Sequence, residues 1–179
     1  PLVLFQFIIS IVFIISSILI TNQLHYLKTK TLGFDRENLI NIPIYSKVAW
    51  EKYETVKNEF LKYADISEVC ASNFFPTKTA GYNMNYWHEG VGQSQYPMIC
   101  CLLVDTDSLE TFKLKLIEGR NFSRQFPSDI ERAFILNRSA VREFGWTPEQ
   151  AIGKEFSVGG NPKGTVIGVV EDFHFESLQ

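Results

Sequence analysis

Charge is missing from the start of this sequence: Pro1 to Leu24 contains no Asp, Glu, Lys or Arg. Histidine is scarce, with His25, His88 and His174 the only three. Cysteine is equally sparse, and Cys70, Cys100 and Cys101 form no C-x-x-C pair. That spacing excludes a zinc knuckle and a thioredoxin-like motif. No phosphate-binding G-x-x-x-x-G-K-[ST] loop occurs, so nothing here reads as a nucleotide site of that kind. The nucleophile elbow, the H-E-x-x-H zinc pair and the dinucleotide G-x-G-x-x-G are also absent. The net charge of -3, with no basic block, argues against nucleic acid as a partner.

What the first stretch has instead is oil. Leu2-Val-Leu-Phe-Gln-Phe-Ile-Ile-Ser-Ile11 continues through an almost unbroken apolar run to Ile20. A helix of about 20 residues spans ~30 Å, the hydrocarbon thickness of a bilayer. Apolar residues face all sides, which excludes an amphipathic surface helix. Lipid offers the backbone no hydrogen bonds, so the β-branched Ile and Val are driven into a helix. The expected anchor covers residues 1–24. The missing first Met reads as a fragment cut from a longer protein. Gln6, Ser10 and Ser17 share a face, either to pack against other membrane helices or to bond back to their own.

Residues 25–38 read as a stem and connector with a turn at Gly33. Residues 39–179 read as one α+β domain with a single core. Asn38 to Ile44 alternates as a first strand, with Pro43 marking an edge. Ser46 caps a helix whose buried face is Ala49, Tyr53, Val56, Phe60 and Tyr63. Glu51, Lys52, Glu54, Lys57 and Glu59 make its expected solvated face. Further strands are expected over Ile66 to Ser72 and Met84 to Trp87. A third, Tyr96 to Val104, is apolar without alternation and reads as buried on both faces. Asp107 and Glu110 form a capping-box pattern opening a helix to Leu114. Lys115 to Gly119 leads into a turn through Arg120 and Asn121. Arg132 to Leu136 is a strand, Asn137 caps a helix ended by Gly145, and Thr147-Pro-Glu-Gln150 is a helix start. Lys154 to Val158 and Thr165 to Asp172 form a hairpin.

The polar cluster Asp172-Phe-His-Phe-Glu176 places Asp172, His174 and Glu176 on one face of a strand. Those residue types ligate divalent metals, but a site needs another ligand and a cleft. The competing reading is a half-buried strand with Phe173 and Phe175 inward. No catalytic, cofactor-binding or metal residue is assigned. His88 is expected on a surface loop, and the cysteines are expected to be small buried hydrophobes.

Four stretches, in order, carry a resemblance. They are the membrane entry from Leu2 and Leu32-Gly-Phe-Asp-Arg-Glu-Asn-Leu-Ile-Asn-Ile-Pro43. Then comes Val104-Asp-Thr-Asp-Ser-Leu-Glu-Thr-Phe-Lys-Leu-Lys-Leu-Ile-Glu-Gly-Arg-Asn-Phe122. The last runs from Ile135-Leu-Asn-Arg-Ser-Ala-Val through Ala151-Ile-Gly-Lys154 to Val166-Ile-Gly-Val-Val-Glu-Asp-Phe-His-Phe-Glu-Ser-Leu178. Together they resemble the periplasmic core domain of the MacB-like, FtsX-type ABC transporter permeases, above all the large two-repeat permeases of Bacteroidetes. The resemblance implies an exporter permease in the bacterial inner membrane with this domain in the periplasm. It implies no enzymatic activity and no cofactor in this chain. Its implied partners are a cytoplasmic ABC ATPase subunit, a second permease copy or repeat, the lipid bilayer, and a periplasmic or outer-membrane protein. His174 becomes part of a strand returning to the membrane. Movement of the stem, Leu24 to Lys30, would tilt the domain, with Gly33, Gly119 and Gly164 as bends. Two alternatives stand beside this reading: an extracytoplasmic sensor domain of a signalling receptor, and a membrane-tethered hydrolase using Asp172, His174 and Glu176.

Overall fold

The structure is a computed structural model, and it describes residues 2–29, 33, 38–73, 81–90 and 97–173. It divides into two compact units, the N-terminal helix and a domain spanning Gly33–Ser177.

The helix, α1 (Leu2–Thr29), is longer than the expected anchor. Its stretch Leu2–His25 is long and apolar enough to cross a membrane. Its apolar side chains are exposed, Leu2 at 80% and Phe13 at 70%, so no protein core within the chain accounts for them. Ser10 donates to the Gln6 carbonyl at 3.0 Å and Thr21 to that of Ser17 at 2.8 Å, which hides these hydroxyls within the helix.

The domain is built on one mixed sheet of six strands: β1 (Tyr82–His88), β2 (Met98–Cys101), β3 (Leu116–Gly119), β4 (Ala133–Asn137), β5 (Glu155–Val158) and β6 (Gly164–Val170). The order is β2-β1-β5-β6-β3, and β4 also pairs with β6. Among the described residues only the β4–β6 pairing is parallel. The registers make β5 and β3 follow one another along one edge of β6 while β4 lines the other. That central place explains why β6 is the apolar run Thr-Val-Ile-Gly-Val-Val, with Val166, Val169 and Val170 buried.

Short helices fill the connections: α2 (Lys47–Glu51), α3 (Tyr53–Phe60), α4 (Ser108–Thr111), α5 (Asp129–Arg132), α6 (Arg138–Glu143) and α7 (Pro148–Ala151). The C-terminal caps form as the sequence indicates. Asn137 accepts from the Ala140 N–H at 3.1 Å, and Thr147 and Gln150 complete a capping box over α7. Helices α6 and α7 supply Ala140, Val141 and Ala151 to the core, against Phe156 of β5 and Leu136 of β4. An aromatic group closes one side: His88 stacks on Phe144 at 4.4 Å and meets the edge of Trp146 at 4.9 Å.

Several expectations need correcting. Residues 39–45 form no strand. Their alternating Ile40, Ile42 and Ile44 stand in solvent, at 87%, 58% and 41% exposure. Ile66 to Ser72 is not a strand either, and among the described residues its one ladder contact is a bridge from Ser72 to Val104. The strand expected over Tyr96 to Val104 shortens to β2, at the sheet edge with Met98 65% exposed, so it is not buried on both faces. The expected single helix after Ser46 breaks at Lys52 into α2 and α3. Lys115 to Gly119 carries a strand, β3, before its turn. Gly164 is not a bend. A side chain there would run into the Arg132 backbone, its Cβ 2.6 Å from the Arg132 carbonyl carbon, so the glycine lets β6 lie against the chain entering β4.

Candidate functional site

Two polar assemblies stand out, one where the chain enters and leaves the domain and one beneath α3. At the first, Gly33 has a φ of +79°, which favours glycine. A Cβ there would lie 2.5 Å from the Asp172 carbonyl oxygen and 2.8 Å from the Phe173 Cα. The segment leading in and the segment leading out therefore touch, backbone to backbone. The outgoing segment is fixed by its carboxylate. Asp172 accepts from the Ser139 N–H at 2.8 Å and from the Ser139 hydroxyl at 2.7 Å. The acceptor satisfies one of the unpaired N–H groups in the first turn of α6. Beside it Arg138 donates to Glu171 at 2.9 Å. The exit is thus tied to a helix whose next residues, Ala140 and Val141, belong to the core.

The second assembly centres on Lys57, 6% exposed. This corrects its place on the solvated face of the expected helix. Its ammonium meets the Asp107 carboxylate and lies 3.5 Å from Asp105. Asp105 Oδ2 also accepts from the Tyr53 hydroxyl at 2.6 Å and the Ala71 N–H at 3.0 Å, and Oδ1 accepts from Ser108 at 2.7 Å. Burial opposes the charge on Asp105, but Tyr53, Ser108, Ala71 and Lys57 together hold its carboxyl below the usual range. Tyr53 is pushed up by burial and by donating to that carboxylate. Arg124 reaches in from outside, 3.2 Å from Asp107 and 3.4 Å from Glu54. The expected capping box at Asp107 does not form: its backbone is not in the extended cap conformation and its carboxylate is turned to Lys57 and Arg124. Lys57 follows Tyr53 by four residues and precedes Phe60 by three, both on the inward face. That spacing puts it on the same helix face as those rings, with its ammonium 5.7 Å from the centre of the Tyr53 ring.

A third ion pair shapes the loop after β3. Asp129 is 5% exposed and takes a two-pronged bond from Arg120, at 2.5 and 2.9 Å, with the Ser123 N–H at 3.0 Å. Arg120 also lies 4.3 Å over the Phe126 ring.

Of the residues weighed for chemistry, His88 is buried at the end of β1, not on a surface loop, because it continues the inward alternation Met84, Tyr86, His88. Its Nδ1 lies 2.9 Å from the Glu89 carbonyl oxygen. His174 and Glu176 lie outside the described residues, and Asp172 is engaged at Ser139. Among the described residues no group of three His, Cys, Asp or Glu comes together to hold a metal. None of the buried side-chain polar atoms there lacks a partner. The cysteines are half-buried thiols, with burial pushing Cys101 up to about 11.

The profile of the MacB-like periplasmic core domain matches residues 3–178. The chain belongs to that family. Its domain has a mixed α/β fold that follows an apolar helix in the chain. The fold is similar to the periplasmic region of MacB from Actinobacillus actinomycetemcomitans, at 20% identity and a TM-score of 0.51, covering 69% of this chain and 52% of that one. It is also similar to the extracellular domain of the noncanonic ABC-type transporter YknZ from Gram-positive bacteria. There the identity is 23% and the TM-score 0.49, with 69% of this chain and 59% of that one covered. The chain thus spans about half the length of the MacB region it matches. No curated protein matches it.

Proposed function

We propose that this chain is a membrane helix and periplasmic domain of an exporter permease in the bacterial inner membrane, transmitting the ATP-driven motion of a cytoplasmic ABC ATPase to the periplasmic side. On this reading residues 1–24 are the anchor, 25–38 the stem and connector, and 39–179 the periplasmic domain. A second permease copy or repeat supplies the opposing domain, and the transport is efflux or the export of a lipoprotein or peptide. The chain works by moving, with no covalent step of its own.

The observation that carries the reading is the meeting of entry and exit at Gly33 and Asp172–Phe173, with the exit tied to α6. Ends that meet form one base, so a displacement applied there moves the packed domain as a body. Ends far apart would stretch or shear it instead. Such a base transmits force only while the connector is stiff. Inserting about six Gly/Ser residues between Arg36 and Glu37 replaces it with a flexible coil. The expected result is loss of export in cells that carry the variant as sole copy, with ATP hydrolysis by the complex retained. Export at the wild-type level with the flexible insert would refute the mechanical reading.

A further inference from the structure

We propose that α2 and α3 form a detachable arm, held to the loop between β2 and α4 by the Lys57–Asp105–Asp107 latch, which opens without unfolding the core. Three observations support it. No residue of α2 or α3 belongs to the buried core, which begins at Tyr86. On the N-terminal side the arm follows residues 39–45, which carry neither helix nor strand. Its tie to the rest of the domain is concentrated in Lys57, Tyr53 and Glu54, which meet Asp105, Asp107 and Arg124.

The apolar face of the arm is thin. Ala49, Tyr53, Val56 and Phe60 are only half-buried, Tyr63 is 66% exposed and Trp50 is 55% exposed. A polar tie of this kind has a particular free-energy profile. Removing one partner strands a buried charge and is costly. Opening the whole tie returns every charge to water, which offsets most of the lost attraction. The latch is therefore firm against substitution and soft against separation. Water already borders it, since the Asp105 and Asp107 side chains are 18% and 30% exposed. The neighbouring Cys70 thiol, facing Ser108 and Thr111, is pushed up by burial and adds no charge to the site.

This inference deepens the mechanical reading and rests on it for its purpose, since the arm begins just after the connector. Its test does not involve transport, so the two fail separately. Hydrogen exchange is followed by mass spectrometry on the full chain in detergent micelles, for wild type, Lys57→Met and the milder Asp107→Asn. An eight-residue helix frays once undocked. The Val56 and Leu61 amides, now bonded at 3.0 Å to Lys52 and Lys57, report that event. In Lys57→Met, exchange over 53–61 should quicken about tenfold or more while β6 and α6 stay within about twofold of wild type. Asp107→Asn should give a smaller change in the same segment. Equal quickening in β6 and α6 would make the arm part of the core and overturn the proposal. Unchanged exchange over 53–61 in both variants would overturn it as well.

Discussion

Asp129→Ala removes the acceptor that organises the loop between β3 and α5. The carboxylate is 3% exposed and binds three N–H groups, two on Arg120 and one on Ser123. Arg120 is 40% exposed, so its guanidinium regains water when the partner is lost, and the pair counts for little more than a surface ion pair, about 1 kcal/mol. Ser123 is half-buried and its N–H donates to this carboxylate. Leaving it unpaired costs about 1–3 kcal/mol. The sum is about 2–4 kcal/mol, a large share of the roughly 5–15 kcal/mol that holds a domain together. Asp129→Asn keeps one oxygen for Ser123 and should lose about half as much. Trp50, Trp87 and Trp146 all lie in the domain, so their fluorescence reports unfolding in urea with the chain in micelles. The expected midpoint shift for Asp129→Ala is about 1–2 M urea, at an m-value of about 2 kcal/mol/M. Arg120 holds the Asp129 carboxyl below its ordinary value, so the unfolded chain binds that proton first. The contribution is complete above the unfolded carboxyl value, near pH 4, and is lost as pH falls through the lower folded value. The gap between wild type and Asp129→Ala should stay constant from pH 7 to about 5 and narrow below about 4. A midpoint unchanged within error, or an Asn variant as weak as the Ala variant, would refute the assignment of Ser123 as the group that matters.

Two further outcomes are expected. Cys101, its thiol pushed up to about 11 by burial, should react with iodoacetamide at pH 8 on the order of a hundredfold more slowly in the folded protein than in urea; equal rates would contradict that environment. Gly33→Ala places a Cβ against the Asp172 carbonyl at a backbone angle that disfavours side chains, and should lower stability by about 1–3 kcal/mol in the urea assay. No change there would mean that entry and exit do not meet.

The C-terminal half of the domain is legible because its signals are local. Thr147, Pro148 and Gln150 specify a helix start within four residues, and the capping box forms. Asn137 and Gly145 bound α6 in the same way, Gly145 at a φ of +74°. The run from Thr165 to Asp172 reads as the second arm of a hairpin with Lys154 to Val158, and β6 pairs antiparallel with β5 across that turn. His88 was legible too, had the alternation of Met84 and Tyr86 been followed one step further.

The charged residues of the candidate site were not legible, and the reason is physical. Periodicity records which face of an element leaves water, and it treats every lysine as a vote for solvent. Lys57 is held inside by Asp105 and Asp107, about fifty positions away, and no local pattern encodes that meeting. Asp107 shows the converse: its local pattern offers a cap, but an ammonium and a guanidinium compete for the same carboxylate, and a charged donor outweighs a neutral N–H. The misread strand at residues 39–44 follows the same logic. Alternation of Ile40, Ile42 and Ile44 states only that one face suits burial; a strand also needs a neighbour for its N–H and C=O groups, and Pro43 has no N–H to offer one. Where a local preference and a distant partner agree, as in β6, sequence and structure coincide. Where the partner is a charge brought in by the fold, only the fold reveals it, and the groups so placed are the ones that join the arm to the loop before α4 and the exit segment to α6.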